Sequence, residues 1–98
     1  MKHYRVLING ENFLIKKDNV KTYMGFYTTR FVSAKDPDQA ELLAIKNIQT
    51  DENIISMTLN TSEHEEAMMY MEEMHEIKEK EIENNYGFGW YTMDDGND

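Results

Sequence analysis

The sequence predicts an α+β domain: a mainly antiparallel sheet of four to six strands, with one principal helix at about 36–50 packed on one face. Three observations point there. β-branched and aromatic residues gather in runs around 3–8, 12–16 and 23–34, a capped amphipathic stretch follows at 36–50, and 98 residues are enough for one modest core but not two. The expected organisation is a single domain over 1–93, with residues 94–98 as an acidic frayed tail.

His3-Tyr4-Arg5-Val6-Leu7-Ile8 reads as a strand, with Tyr4, Val6 and Ile8 on one face and Arg5 and Leu7 on the other. Asn9-Gly10 is a strong signal for a hairpin turn, so a returning strand is expected over Asn12-Phe13-Leu14-Ile15-Lys16, followed by a polar loop at 17–21. The run from Tyr23 to Ala34 is the longest strand. Its faces, Met24/Phe26/Thr28/Arg30/Val32 and Tyr23/Tyr27/Thr29/Phe31, both carry large apolar groups, which implies a central position. In the helix, Asp36 suits the N-cap, Pro37 the first helical position, Asp38 the positive end of the dipole, and Gln39 the third position of a capping box. At 100° per residue, Ala40, Leu43, Ala44, Ile45 and Ile48 form its buried side.

After a turn at 51–53, Ile54-Ile55-Ser56-Met57-Thr58-Leu59 alternates and is expected to form a further strand, with the strands neighbouring in chain order. Residues 63–83 allow two readings. Ser62 with Glu65 resembles a capping box, and Ala67, Met68, Tyr70, Met71, Met74 and Ile77 share a helical face; as a strand, Met68-Met69-Tyr70-Met71 is a buried run that then alternates. The strand is preferred and a second helix is the alternative. Tyr86, Phe88 and Trp90 stand at period two and suggest an edge strand.

Charge is the strongest global signal. Residues 1–50 carry eight Lys/Arg against five Asp/Glu, and residues 51–98 carry two against fourteen, so the net −9 is concentrated in the second half. Such a field repels nucleic acid and anionic membrane and favours encounter with a basic partner, although solubility alone also explains many acidic surfaces. Lys16, Lys17, Lys21, Arg5 and Arg30 make at most a sparse basic patch. The absence of cysteine fits a reducing compartment, and no signal-peptide core is seen near Met1, so a cytoplasmic location is expected. Asn60-Thr61-Ser62 matches a glycosylation sequon that has no consequence there.

No catalytic motif is present. His75-Glu76-Ile77-Lys78-Glu79 approaches a zinc-protease pattern, but Glu79 stands where a second His is needed, and an ordinary solvated face is the better reading. The pairs Glu72/Glu73 and Asp94/Asp95 would need a pocket that splits their pKa values to act as acid and base. Gly87-Phe88-Gly89 is not a dinucleotide fingerprint. Met68, Met69, Met71 and Met74 are expected to fill core, with Met69 the best candidate for exposure. The aromatic set around Trp90 and Tyr91, beside acidic residues, is the most partner-like feature.

Tyr4-Arg5-Val6-Leu7-Ile8-Asn9-Gly10-Glu11-Asn12-Phe13-Leu14, with Gly25-Phe26-Tyr27-Thr28-Thr29-Arg30-Phe31-Val32 and the helix from Pro37 to Ala44, resembles a group of small, mostly uncharacterised bacterial proteins. The resemblance extends from Tyr4 to about Ile77. It implies a strand at 68–77 and carries no active site; the entry to that strand, Glu65-Glu66-Ala67, departs from the proline-containing entry of the group.

The function expected is therefore a non-catalytic acidic protein that inhibits a basic partner, foremost an immunity-type antitoxin against a bacterial toxin such as a nuclease. Its contact residues are expected among Glu72, Glu73, Glu76, Glu79, Trp90, Tyr91, Asp94 and Asp95. No metal or other cofactor is expected. A phage anti-defence protein that mimics nucleic acid and a small self-associating structural domain, including a homodimer, are the alternatives.

Overall fold

The computed structural model describes residues 1–17, 19–57, 67–82 and 87–93. The chain is α+β, and its described residues form β1 (Lys2–Lys17), β2 (Val20–Ala34), α1 (Pro37–Gln49), α2 (Glu52–Met57), β3 (Met68–Ile77), a 3-10 turn (Glu79–Glu81) and β4 (Phe88–Thr92). The four strands form an antiparallel sheet in the order β3-β1-β2-β4, with α1 packed on one face. The third strand thus joins β1 rather than following the strands in chain order.

The expected hairpin at Asn9-Gly10 does not form. β1 runs straight through it, and the chain reverses between Lys17 and Val20, where Asn19 takes a left-handed φ of 67°. Asn tolerates that conformation at little cost, which is why it serves as a turn residue. Gly10 meets a different demand: it lies opposite Phe26, and a Cβ there would clash with the Phe26 ring. Just beyond, Glu11 and Asn12 together oppose Gly25, and Asn12 adopts φ 63°. This bulge shifts the alternation by one residue, so Phe13 joins Tyr4, Val6 and Ile8 on the helix side.

On that side the core is Tyr4, Val6, Ile8, Phe26, Ala34, Ala40, Ala44, Ile48 and Ile54. Ala40 and Ala44 let α1 approach the sheet closely, and Ile48 supplies bulk. Burying each larger aliphatic side chain contributes roughly 1.5–3 kcal/mol. Leu43, expected in this side, is 38% exposed. The Asp36 carboxylate accepts from the Gln39 N–H at 2.9 Å, as an N-cap should. The reciprocal bond shifts by one residue: Gln39 Oε1 accepts from the Lys35 N–H at 2.8 Å.

The strand expected at 54–59 is corrected for its described part, because residues 52–57 are the helix α2. Asp51 starts it, its Oδ1 accepting from the Asn53 N–H at 2.8 Å and its carbonyl accepting from the Ile55 N–H at 3.1 Å. Arg30 fixes Asp51 in place through an ion pair of 2.9 Å and also donates to Asn47 Oδ1 at 2.8 Å. Arg30 is 2% exposed and lies 5.1 Å from the Phe88 ring, so it belongs to no basic surface patch. The β-branched content of Ile54-Ile55 is overridden by this tertiary contact.

The preference for a strand within 63–83 holds over Met68–Ile77. Met69 and Met74 pack on the core, whereas Met68 and Met71 are exposed, which reverses the expectation that Met69 would be the outward one. The sequon at 60–62, Tyr86, and the tail with Asp94 and Asp95 lie outside the described residues. No described helix is long and apolar enough to cross a membrane.

Candidate functional site

Because α1 covers one face, the residues of opposite parity make up the other: Arg5, Leu7 and Asn9 from β1, and Tyr23, Tyr27, Thr29 and Phe31 from β2. No described element packs over them. At the centre of this face is Asn9, buried at 5% exposure, whose amide links three strands. Its Oδ1 accepts from the Tyr91 hydroxyl of β4 at 2.7 Å. Its Nδ2 donates to Glu72 Oε2 of β3 at 3.3 Å and, more weakly, to Glu11 Oε2 at 3.4 Å.

Two irregularities bring these groups together. Leu7 pairs with Glu73 and Ile8 with Met71, so Glu72 is an extra residue in β3, and the bulge turns its side chain toward Asn9. Gly25, opposite Tyr91, leaves room for the Tyr91 ring to lie flat over the β2 backbone. Tyr27 stands beside it, ring centroids 5.5 Å apart. Burial first, then the neighbouring Tyr27 and Glu11, push the Tyr91 hydroxyl above its ordinary pKa, against the opposing effect of its bond to Asn9. Tyr91 is therefore a hydrogen-bond donor here, not a phenolate.

The expected contact residues separate into groups. Glu72 and Tyr91 meet through Asn9. Glu73 lies on the same face, opposite Leu7, with its carboxylate 3.5 Å from His75 Nε2. Glu76, opposite Tyr4, is exposed on the helix side of the same strand, and Glu79 follows in the 3-10 turn. Trp90 points to the opposite face from Tyr91 and is partly buried against Phe26 and Phe88, at 5.3 and 5.7 Å between ring centroids. Asn9 and Glu11 enter the cluster unannounced: the sequence offered Asn9 only as a turn residue, and no local signal joins it to residues sixty or more positions away.

His75 and Glu79 do not share a helical turn, since β3 ends between them, and among the described residues no group of three His, Asp or Glu is placed to hold a metal ion. Among the described residues, one shallow groove lies between β2 and α1 and holds Lys46, and another lies beside Lys21 and Thr92; neither of these contains a carboxylate. The arrangement as a whole presents carboxylates and tyrosines along β3 and the open face. It is suited to cationic groups and hydrogen-bond donors. No family model, curated protein or solved structure matches the chain.

Proposed function

We propose that this chain is a non-catalytic acidic binding protein that inhibits a basic partner, in its most specific form an immunity-type antitoxin that covers the cationic cleft of a bacterial toxin such as a nuclease. The observation that carries this reading is the placing of Glu72, Glu73 and Glu76 along one exposed strand at the sheet's border, beside the open tyrosine-lined face, in a chain of net charge −9. Carboxylates so arranged speed the encounter with a basic surface and select against acidic ones.

Affinity capture from the encoding cells, at low and then moderate salt, tests it. The expected result is one basic enzyme held in equimolar amount, inhibited by the purified chain and released when Glu72, Glu73 and Glu76 are changed together to Gln. Recovery of no basic protein, or of one whose activity the chain leaves intact, overturns it.

A second reading, a self-associating domain, draws on Leu42 and Ile55, which are 70% and 59% exposed on the two helices. Sedimentation equilibrium decides: a monomer across the micromolar range removes it.

A further inference from the structure

β3 is an edge strand of ten residues, paired with β1 along one side and with no described strand along the other. An edge of this kind presents a row of backbone N–H and C=O groups that can pair with another chain. The other edge offers much less: β4 has only five residues, the second of them Gly89. β3 also has two distinct halves. Met68, Tyr70 and Met71 are exposed at 51%, 40% and 37%, whereas Glu72, Glu73, His75 and Glu76 make the following half polar and mainly acidic. Other titratable side chains nearby are Glu11, Arg5 and His3, one strand in, and Lys78, Glu79, Lys80 and Glu81 just past the strand's end.

We propose that the outer edge of β3 takes up an extended, basic segment of the partner protein as a fifth strand, with apolar residues of that segment against Met68–Met71 and Lys or Arg against Glu72, Glu73 and Glu76. This rests on the function proposed above and specifies how the partner is held. Charge complementarity selects the occupant. A second copy of this chain would bring two sets of these three glutamates into one ladder, with like charges adding to a net −9 on each side. The glutamates thus discourage self-pairing, as charges on natural edge strands do, and attract a cationic strand.

The probe is a fluorescent decapeptide with Val and Thr in one half and Lys in the other, compared with a twin methylated on two adjacent central amides. Adjacent amides point to opposite edges of a strand, so the twin keeps charge and side chains but cannot pair well along either edge. Binding is read by anisotropy and its location by backbone hydrogen exchange. Expected are affinity about tenfold tighter for the unmethylated peptide, as one or two lost hydrogen bonds imply, and slowed exchange within 68–77 with 88–92 unchanged. Glu72→Gln, Glu73→Gln and Glu76→Gln together weaken both peptides and preserve their ratio. Equal affinity of the two peptides overturns strand addition. If both peptides are then lost in the triple variant, the acidic-surface reading stands without it. Binding of neither peptide, or protection elsewhere than β3, also overturns strand addition, and the capture experiment alone then judges the function.

Discussion

Arg30 Nη1 lies 2.9 Å from Asp51 Oδ2, an ion pair that ties the middle of the sheet to the junction of α1 and α2. Burial pushes the Asp51 carboxyl up, but the Asn53 N–H and the Arg30 guanidinium, by hydrogen bond and by charge, outweigh it and hold the group below its ordinary pKa. Asp51→Asn keeps an acceptor for the Asn53 N–H and removes the charge that compensates Arg30. Breaking such a pair from one side costs about 3–5 kcal/mol when fully buried. A loss of about 2–3 kcal/mol is expected here, because Asn47 still accepts from Arg30 and Asp51 is 17% exposed. A depressed carboxylate contributes stability above its unfolded pKa and loses it as pH falls through the folded one. Urea unfolding should therefore separate the two proteins at pH 7 and bring their midpoints together in strong acid. An unchanged gap there would assign the cost to packing.

Gly10 and Gly25 each face an aromatic ring across the sheet, and the same substitution should act differently at the two. A Cβ at Gly10 meets the Phe26 ring, which is fully buried and held by Phe13, Phe88 and Trp90 at 5.1–5.3 Å. Phe26 cannot yield, so Gly10→Ala is expected to cost about 2–3 kcal/mol, in the upper range for overpacking. A Cβ at Gly25 meets the Tyr91 ring, which is only partly buried and can swing outward. Gly25→Ala then costs about 1 kcal/mol, mostly the Tyr91–Asn9 bond. Thermal unfolding ranks the two variants, and equal losses would count against this account.

Much of the fold was legible because its signals are local. Asp36, Pro37 and Gln39 marked the start of α1, and the alternation of residues 24–32 assigned both faces of β2 correctly. The failures arise where a distant residue decides. Asn9-Gly10 reads as a turn to anyone who cannot see Phe26 over Gly10, and Ile54-Ile55 reads as a strand without the Arg30–Asp51 pair. The candidate site was half legible: Glu72 and Tyr91 stood out by charge and aromaticity, but Asn9, which joins them, did not. A bulge of one residue, which sets where Glu72 points, has no sequence signature of its own.

The Tyr4 hydroxyl is buried with no hydrogen-bond partner among the described residues. An unsatisfied buried polar group costs about 1–3 kcal/mol, so removing it should help rather than harm. Tyr4→Phe keeps the ring among Val6, Ala40 and their neighbours and is expected to raise stability by about 1 kcal/mol. A midpoint of urea unfolding below that of the parent would show that the hydroxyl is satisfied in solution, by water or by a small shift of the strand.

Tyr91 offers a spectroscopic reading of the open face. Its hydroxyl is raised above the ordinary tyrosine value by burial, by Tyr27 and by the Glu11 and Glu72 charges, which outweigh the bond to Asn9. A group raised in the folded state contributes stability that is complete below its unfolded pKa, about 10, and is lost as pH rises through the folded value. Ultraviolet titration should thus show a tyrosine ionisation above the ordinary tyrosine range in the folded chain, and Tyr91→Phe should lower its amplitude. The same substitution takes the hydroxyl from Asn9 Oδ1 and is expected to cost about 1 kcal/mol near neutral pH. Changing Glu11 and Glu72 together to Gln removes two of the charges that raise the group, so its ionisation should move to lower pH while the step itself remains. If Tyr91→Phe leaves the amplitude of the late ionisation unchanged, Tyr91 does not contribute to it, and the Asn9 cluster is not closed in solution as the structure shows it.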